Sequence, residues 1–154
     1  MSDFILRLPI DNAEVSVDEQ LLQNLKEQIA KESSLYRRRY KGFVYWIIRP
    51  FFVQNAFAKL EHDSFHLCGY VEISRDSDYF VSESFYDYEI DCHGGLTFAD
   101  SIKNIGVDFA IGFDCCHSCD ISILSHLNYA QSKYRDVDFV DKQCKLIIDQ
   151  LLSK

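Results

Sequence analysis

The chain has 154 residues, 47% of them apolar and 14% aromatic, with 12 Phe and 9 Tyr. That composition supplies a hydrophobic core and excludes a disordered chain; two prolines and six glycines exclude collagen-like and low-complexity classes. A net charge of −8, from 16 basic against 24 acidic residues, repels a phosphate backbone and argues against duplex nucleic acid as a partner.

The length fits one domain, expected to span residues 1–154. Residues 1–12 carry no basic region ahead of an apolar stretch and no small-residue cleavage site, so no signal peptide is expected. The longest apolar run, Phe43 to Ile48, falls far short of the ~20 residues of a membrane helix. A cytoplasmic location follows, in which the six cysteines stay reduced. Adjacent Cys115 and Cys116 are also poorly placed for two separate disulfides.

Residues 16–31 are expected to form a helix. Ser16 and Glu19 have capping-box spacing, and Val17, Leu21, Leu22, Leu25 and Ile29 make one apolar stripe. Arg37, Arg38, Arg39 and Lys41 form a basic patch, read as a solvated helix end or as a phosphate clamp. Phe43 to Ile48 is aromatic and β-branched and reads as a buried strand ended by Pro50. Residues 52–60 suit a short helix or a second strand equally.

Residues 66–74 alternate with period two, which predicts a strand. Residues 75–88, rich in Asp, Ser and Tyr, read as a long loop, and residues 88–92 as a further strand. Val107 to Asp114 alternates again, with Val107, Phe109, Ile111 and Phe113 on one face. Ala110 and Gly112 on the other face leave room for close approach. Residues 121–133 read as a loop or a short helical turn. Asp136 is placed to cap a C-terminal helix of about 15 residues. Its stripe is Val137, Val140, Cys144, Ile147, Ile148 and Leu151. Helix, strands, helix in that order predict an α+β domain, with both helices packed on a mostly antiparallel sheet.

Two segments concentrate polar chemistry where the chain leaves a strand: Asp91 to Phe98, containing His93-Gly94-Gly95, and Gly112 to Asp120, containing Asp114, Cys115, Cys116, His117 and Cys119. Loops on a rigid sheet commonly carry function. Four readings fit this cluster. Structural zinc has Cys and His ligands in plenty but only one C-x-x-C, Cys116 to Cys119. A hydrolytic site would use His93, Asp114 and His117 in acid–base roles, with Asp114 orienting a histidine, and Asp120 beside them. The same His and Asp groups can also bind a divalent metal. A binding pocket without chemistry would use these groups with Tyr and Phe stacking on a ligand. The fourth reading is plain loop anchoring. Gly94 and Gly95 offer backbone N–H groups to an oxyanion or phosphate, and Thr97 and Arg135 stand ready for polar or phosphate contacts. Cys115 is a weaker nucleophile candidate than the His/Asp set.

The segments Leu67-Cys68-Gly69-Tyr70-Val71, His93-Gly94-Gly95-Leu96-Thr97-Phe98, Gly112-Phe113-Asp114-Cys115 with His117 and Asp120, and Tyr134-Arg135-Asp136 with Val140 and Cys144 resemble a family of small uncharacterised proteins in phage and bacterial genomes. Its pattern runs LCGYV, HGGLTF, GFDCAHxGD and YRDxxYV. Cys115, His117 and Asp120 match it, whereas Cys116 and Cys119 stand where it has Ala and Gly. The resemblance therefore implies that those two thiols are not essential ligands, and it supplies no activity. A phage setting implies action on a host component inside the host cytoplasm. The expected function is a phosphodiester hydrolase acting on a small nucleotide-like ligand such as a host defence signal. A sponge that sequesters that ligand and a protein–protein inhibitor are the alternatives. Metal dependence and a homo-oligomer stay open.

Overall fold

Alternating apolar residues build most of one sheet. The computed structural model describes residues 3–7, 14–49, 66–117, 119–121 and 132–154. Strands β1 (Asp3–Arg7) and β2 (Glu14–Asp18) form an antiparallel pair, and helix α1 (Glu19–Ala30) follows β2 directly. Then come β3 (Leu35–Tyr40), β4 (Phe43–Ile48), β5 (Cys68–Glu72), β6 (Phe98–Ile102), β7 (Val107–Asp114) and helix α2 (Val137–Ser153). The five later strands form one sheet in the order β3-β4-β5-β7-β6, every neighbour antiparallel. The expected α+β class with an N-terminal and a C-terminal helix is what the structure has.

The helix expected over residues 16–31 begins three residues later. Residues 14–18 pair with β1, so Ser16 and Val17 belong to a strand, and the helix starts at Glu19. The sequence Glu-Val-Ser-Val-Asp has the β-branched alternation of a strand, and pairing settles its conformation. The helical stripe is correspondingly narrow: Leu22 and Leu25 are buried, while Leu21 is 42% exposed.

The basic patch is a strand and not a helix end. Lys41 and Gly42 both have positive φ, +48° and +87°, and join β3 to β4 as a two-residue hairpin turn. Alternation sends the arginines to opposite faces. Arg38 pairs with Asp141 of α2 at 2.8 Å, whereas Arg37 lies 5.9 Å from the centroid of the Trp46 ring. They do not form a single clamp.

Helix α2 covers one face of the sheet. Its Val137, Val140, Cys144, Ile147, Ile148 and Leu151 meet Tyr45, Ile47, Val71, Phe109, Ile111 and Phe113 in one buried cluster. Trp46, Ile48, Val107 and Ala110 form a second cluster, with Tyr70 and Phe98 packed against it. Val107 thus sits apart from Phe109, contrary to strict alternation, where the β6–β7 register shifts between Asp100 and Ile102. The space expected beside Gly112 is filled by Tyr70: a Cβ on Gly112 would lie 2.5 Å from that ring. Gly69 is the matching case under α2, its Cβ position 2.5 Å from the Phe113 ring and 2.7 Å from Cys144 Sγ. Gly69→Ala is expected to overpack this core and lower stability by about 1–3 kcal/mol, measured by urea unfolding.

Asp136 caps α2 as expected, its Oδ1 accepting the Phe139 N–H at 2.9 Å. Further along, Asp141 is buried yet held below the usual carboxylate range. Burial pushes it up, but bonds from Tyr45, Arg38 and Lys145 outweigh burial. A carboxylate depressed by folding stabilises the fold above its ordinary pKa and loses that contribution as pH falls through its folded value. Asp141→Asn is therefore expected to flatten the acid limb of the stability curve below about pH 4, measured by unfolding across pH.

The strand expected over residues 88–92 is absent. Tyr88 and Ile90 are buried, but the backbone there bonds to side chains of α2 instead of a strand. Gln150 takes both the N–H and the C=O of Asp91, at 2.8 and 2.7 Å, and Gln143 accepts the His93 N–H at 2.8 Å. These glutamines are seven residues apart and lie on one side of the helix. Pro50 and residues 52–60 lie outside the described residues, as does most of the loop expected over 121–133.

Candidate functional site

The site is assembled by two loops and the start of α2. Beyond β7, the Cys115 N–H bonds the Leu67 C=O at 3.1 Å and keeps the chain on the sheet one residue longer. Asp114 then turns it away, its Oδ1 accepting the Cys116 N–H at 3.1 Å. A turn from His117 to Asp120 closes through the Asp120 N–H and the His117 C=O at 2.9 Å. Asp120 forms a parallel bridge with Lys133, which carries Arg135 alongside the loop. On the other side, the Gly95 N–H bonds the Cys92 C=O at 2.9 Å, and this turn presents His93.

The side chains converge on one carboxylate. Asp120 is fully buried. Its oxygens lie 2.9 and 2.8 Å from His93 Nε2, and Oδ2 lies 3.1 Å from His117 Nδ1. Arg135 Nε donates to Oδ1 at 2.8 Å, and the His117 backbone N–H donates to Oδ2 at 3.1 Å. Burial pushes this carboxyl up, but the bonds from His93, Arg135 and His117 overcome it and hold the group down at about 2. Asp120 is therefore ionised and accepts only. Each imidazole must present an N–H to it, Nε2–H on His93 and Nδ1–H on His117.

That requirement leaves Nε2 of His117 as the acceptor nitrogen. The side chain is 31% exposed, and this nitrogen lies 3.7 Å from Asp114 Oδ1. The Asp114 carboxylate is itself engaged by the Thr97 hydroxyl, which donates to Oδ2 at 3.0 Å. His93 is more enclosed, edge-on to Phe139 with centroids 5.1 Å apart. The Arg135 guanidinium sits 4.8 Å from the same phenyl centroid. The His93 and His117 rings meet edge to face at 5.1 Å.

The His, Asp, Gly, Thr and Arg candidates of the sequence, His93 to Gly95, Thr97, Asp114, His117, Asp120 and Arg135, fall in this region, though the bonds differ from those expected. The orienting carboxylate was expected at Asp114; the one bonded to both imidazoles is Asp120. Gly95 was expected to offer its N–H to an oxyanion, but that donor is used by Cys92. Gly94 has a positive φ of +69°, and a Cβ there would lie 2.1 and 2.2 Å from His117 Cε1 and Nε2. Gly95, at φ +80°, has nothing within 4 Å of its Cβ position. Both alanine variants carry a left-handed backbone penalty of about 1–2 kcal/mol. Only Gly94→Ala also displaces His117, so it is expected to shift the His117 ring resonances in NMR spectra while Gly95→Ala leaves them in place.

Burial pushes the Cys115 thiol well above its usual range, which keeps it S–H and makes it a poor nucleophile. Cys116 and Cys119 are exposed. Three residues, His93, His117 and Asp120, each offer a metal-ligating atom, all within 4.8 Å of one another, and no thiol belongs to this group among the described residues.

Phe139 and Gln143 escaped the sequence reading. Their signal was a spacing of four on α2, one step round from the buried stripe. His66 also escaped it. Burial lowers its pKa, so this imidazole is neutral near pH 7, within electrostatic reach of Asp114, Arg49, Asp120 and His117. Two cavities lie away from the cluster. One of ≈ 450 Å³ is bounded by Lys41, Phe43, Glu72 and Tyr79, and one of ≈ 250 Å³ by Tyr79, Val81, Tyr88 and Leu151. Among the described residues, no helix is long and apolar enough to cross a membrane. No protein-family model, curated protein or solved structure matches this chain.

Proposed function

We propose that the protein is a phosphodiester hydrolase acting on a small nucleotide-like ligand, a host defence signal in the phage setting that the resemblance implies. The observation that carries this reading is the buried Asp120 carboxylate, bonded at once to His93, His117 and Arg135. A carboxylate on one ring nitrogen fixes the tautomer and supports charge on the other, which is the arrangement of a general base. His117 Nε2 takes the proton of the attacking water. The Arg135 guanidinium, whose Nε bonds Asp120 and whose Nη2 donates to Cys119 Sγ at 4.0 Å, has further N–H groups to offer the phosphate charge that develops. Asp114 and Thr97 stand at the rim, where His117 is open to solvent.

The test is turnover. Cyclic and linear dinucleotides are incubated with protein at a small fraction of their concentration, and products are resolved by chromatography. Several substrate equivalents cleaved per chain, with the rate lost in His117→Ala while calorimetric binding persists, is the expected result. Ligand held one-to-one and released intact on heating would overturn hydrolysis in favour of sequestration. Neither binding nor conversion of any nucleotide would sink both.

A further inference from the structure

We infer that His93 Nε2, His117 Nδ1 and Asp120 Oδ2 form a binding site for a divalent transition metal of the zinc class. This goes beyond the hydrolase reading and does not depend on it. His93 Nε2 and His117 Nδ1 lie 2.8 and 3.1 Å from Asp120 Oδ2. Zinc with N and O ligands at about 2.0–2.1 Å has tetrahedral edges near 3.3 Å; with those two edges slightly shorter and the ligand atoms of all three residues within 4.8 Å of one another, small movements of the groups admit the ion. Two imidazoles and an ionised carboxylate suit zinc, cobalt or nickel, and the absence of a thiol from the group disfavours soft ions.

The surroundings match a metal site as well. Arg135 Nε holds Asp120 Oδ1 and the His117 backbone N–H holds Oδ2, the role of outer partners that orient a ligating carboxylate whose Oδ2 faces both imidazoles. Gln143 fixes the His93 backbone, and Gly94 gives the His117 ring its place. Three protein ligands leave the fourth tetrahedral position to water or an anion. Because Arg135 already offsets the charge of Asp120, the ion is expected to bind together with hydroxide or phosphate.

Binding rearranges protons without net loss. His93 moves its proton from Nε2 to Nδ1, and His117 moves its proton from Nδ1 to Nε2, as each nitrogen facing Asp120 gives its lone pair to the metal. A protonated His117 Nε2 no longer accepts a proton, so zinc suppresses any reaction that uses it as a base.

The experiment uses the chelator-treated full chain carrying Cys116→Ala and Cys119→Ala, which removes the exposed thiols as competing ligands. Zinc chloride is titrated by calorimetry, and cobalt(II) serves as the spectroscopic probe. Expected are saturable one-to-one binding, weakened about tenfold or more in His117→Ala, and cobalt d–d bands without a thiolate charge-transfer band. Two exchangeable, paramagnetically shifted imidazole N–H signals are expected as well, a readout that needs no histidine variant to fold. No saturable uptake, binding unchanged in a folded His117→Ala, or cobalt binding without imidazole signals would overturn the site. These measurements contain no nucleotide, so metal binding without turnover sinks only the hydrolase, and turnover without metal binding sinks only the metal site.

Discussion

In the proposed hydrolase, Asp120→Asn is expected to lower phosphodiester turnover by about 10⁴-fold, the order found when the aspartate of a serine-protease triad becomes asparagine. The amide keeps the shape of the carboxylate but not its charge or its four acceptor sites. Asp120 faces N–H groups from His93, His117 and Arg135. With Asn, an NH₂ group confronts at least one of those donors, and an imidazole must flip tautomer or turn away. Stability is expected to fall with activity, by about 1–3 kcal/mol, because the half-buried Arg135 and the two imidazoles lose their buried anionic partner. Urea unfolding and turnover are measured on the same preparation. A folded Asp120→Asn protein with parental rate would remove Asp120 from the mechanism.

Glu32→Ala is expected to destabilise the fold by about 3–5 kcal/mol without acting on the chemistry. Glu32 follows α1 and is as enclosed as its partner Arg49, with side-chain exposures of 6% and 4%. One oxygen accepts from Arg49 at 3.1 Å and from the Tyr134 hydroxyl at 2.5 Å, and the other accepts the Val137 N–H at 3.1 Å. A single carboxylate thus joins the end of α1, the end of β4 and the first turn of α2. Removal leaves the groups that bonded it to find other partners inside the protein, and such groups are expensive to leave unsatisfied. The expected result is a lower urea midpoint with unchanged turnover per folded molecule. A loss under 1 kcal/mol on the scale of exposed ion pairs would show that this cluster is solvated.

The elements legible in the sequence were those with a burial pattern of their own. β5, β7 and α2 carry an apolar period and β4 an unbroken aromatic and β-branched run, and these signals located them. β3 was illegible because its consecutive arginines look like a solvated run. Their faces differ only through distant partners, Asp141 for Arg38 and Trp46 for Arg37. Residues 88–92 misled in the opposite sense: the apolar residues are buried as in a strand, but the glutamines of α2 satisfy the backbone. The site shows the same division. His93, His117, Asp120 and Arg135 stood out by chemical type near loop positions. That Asp120 and not Asp114 bonds both imidazoles depends on the Asp120–Lys133 bridge, a tertiary contact with no local signature.

The most direct measurement of the central claim, that one buried carboxylate presets both imidazoles, is the ¹⁵N–¹H long-range correlation spectrum of the histidine rings near neutral pH. The account predicts the Nε2–H tautomer for His93 and the Nδ1–H tautomer for His117, both disturbed in Asp120→Asn. A His117 ring in the Nε2–H tautomer in the metal-free protein, or histidine spectra indifferent to Asp120→Asn, would contradict it.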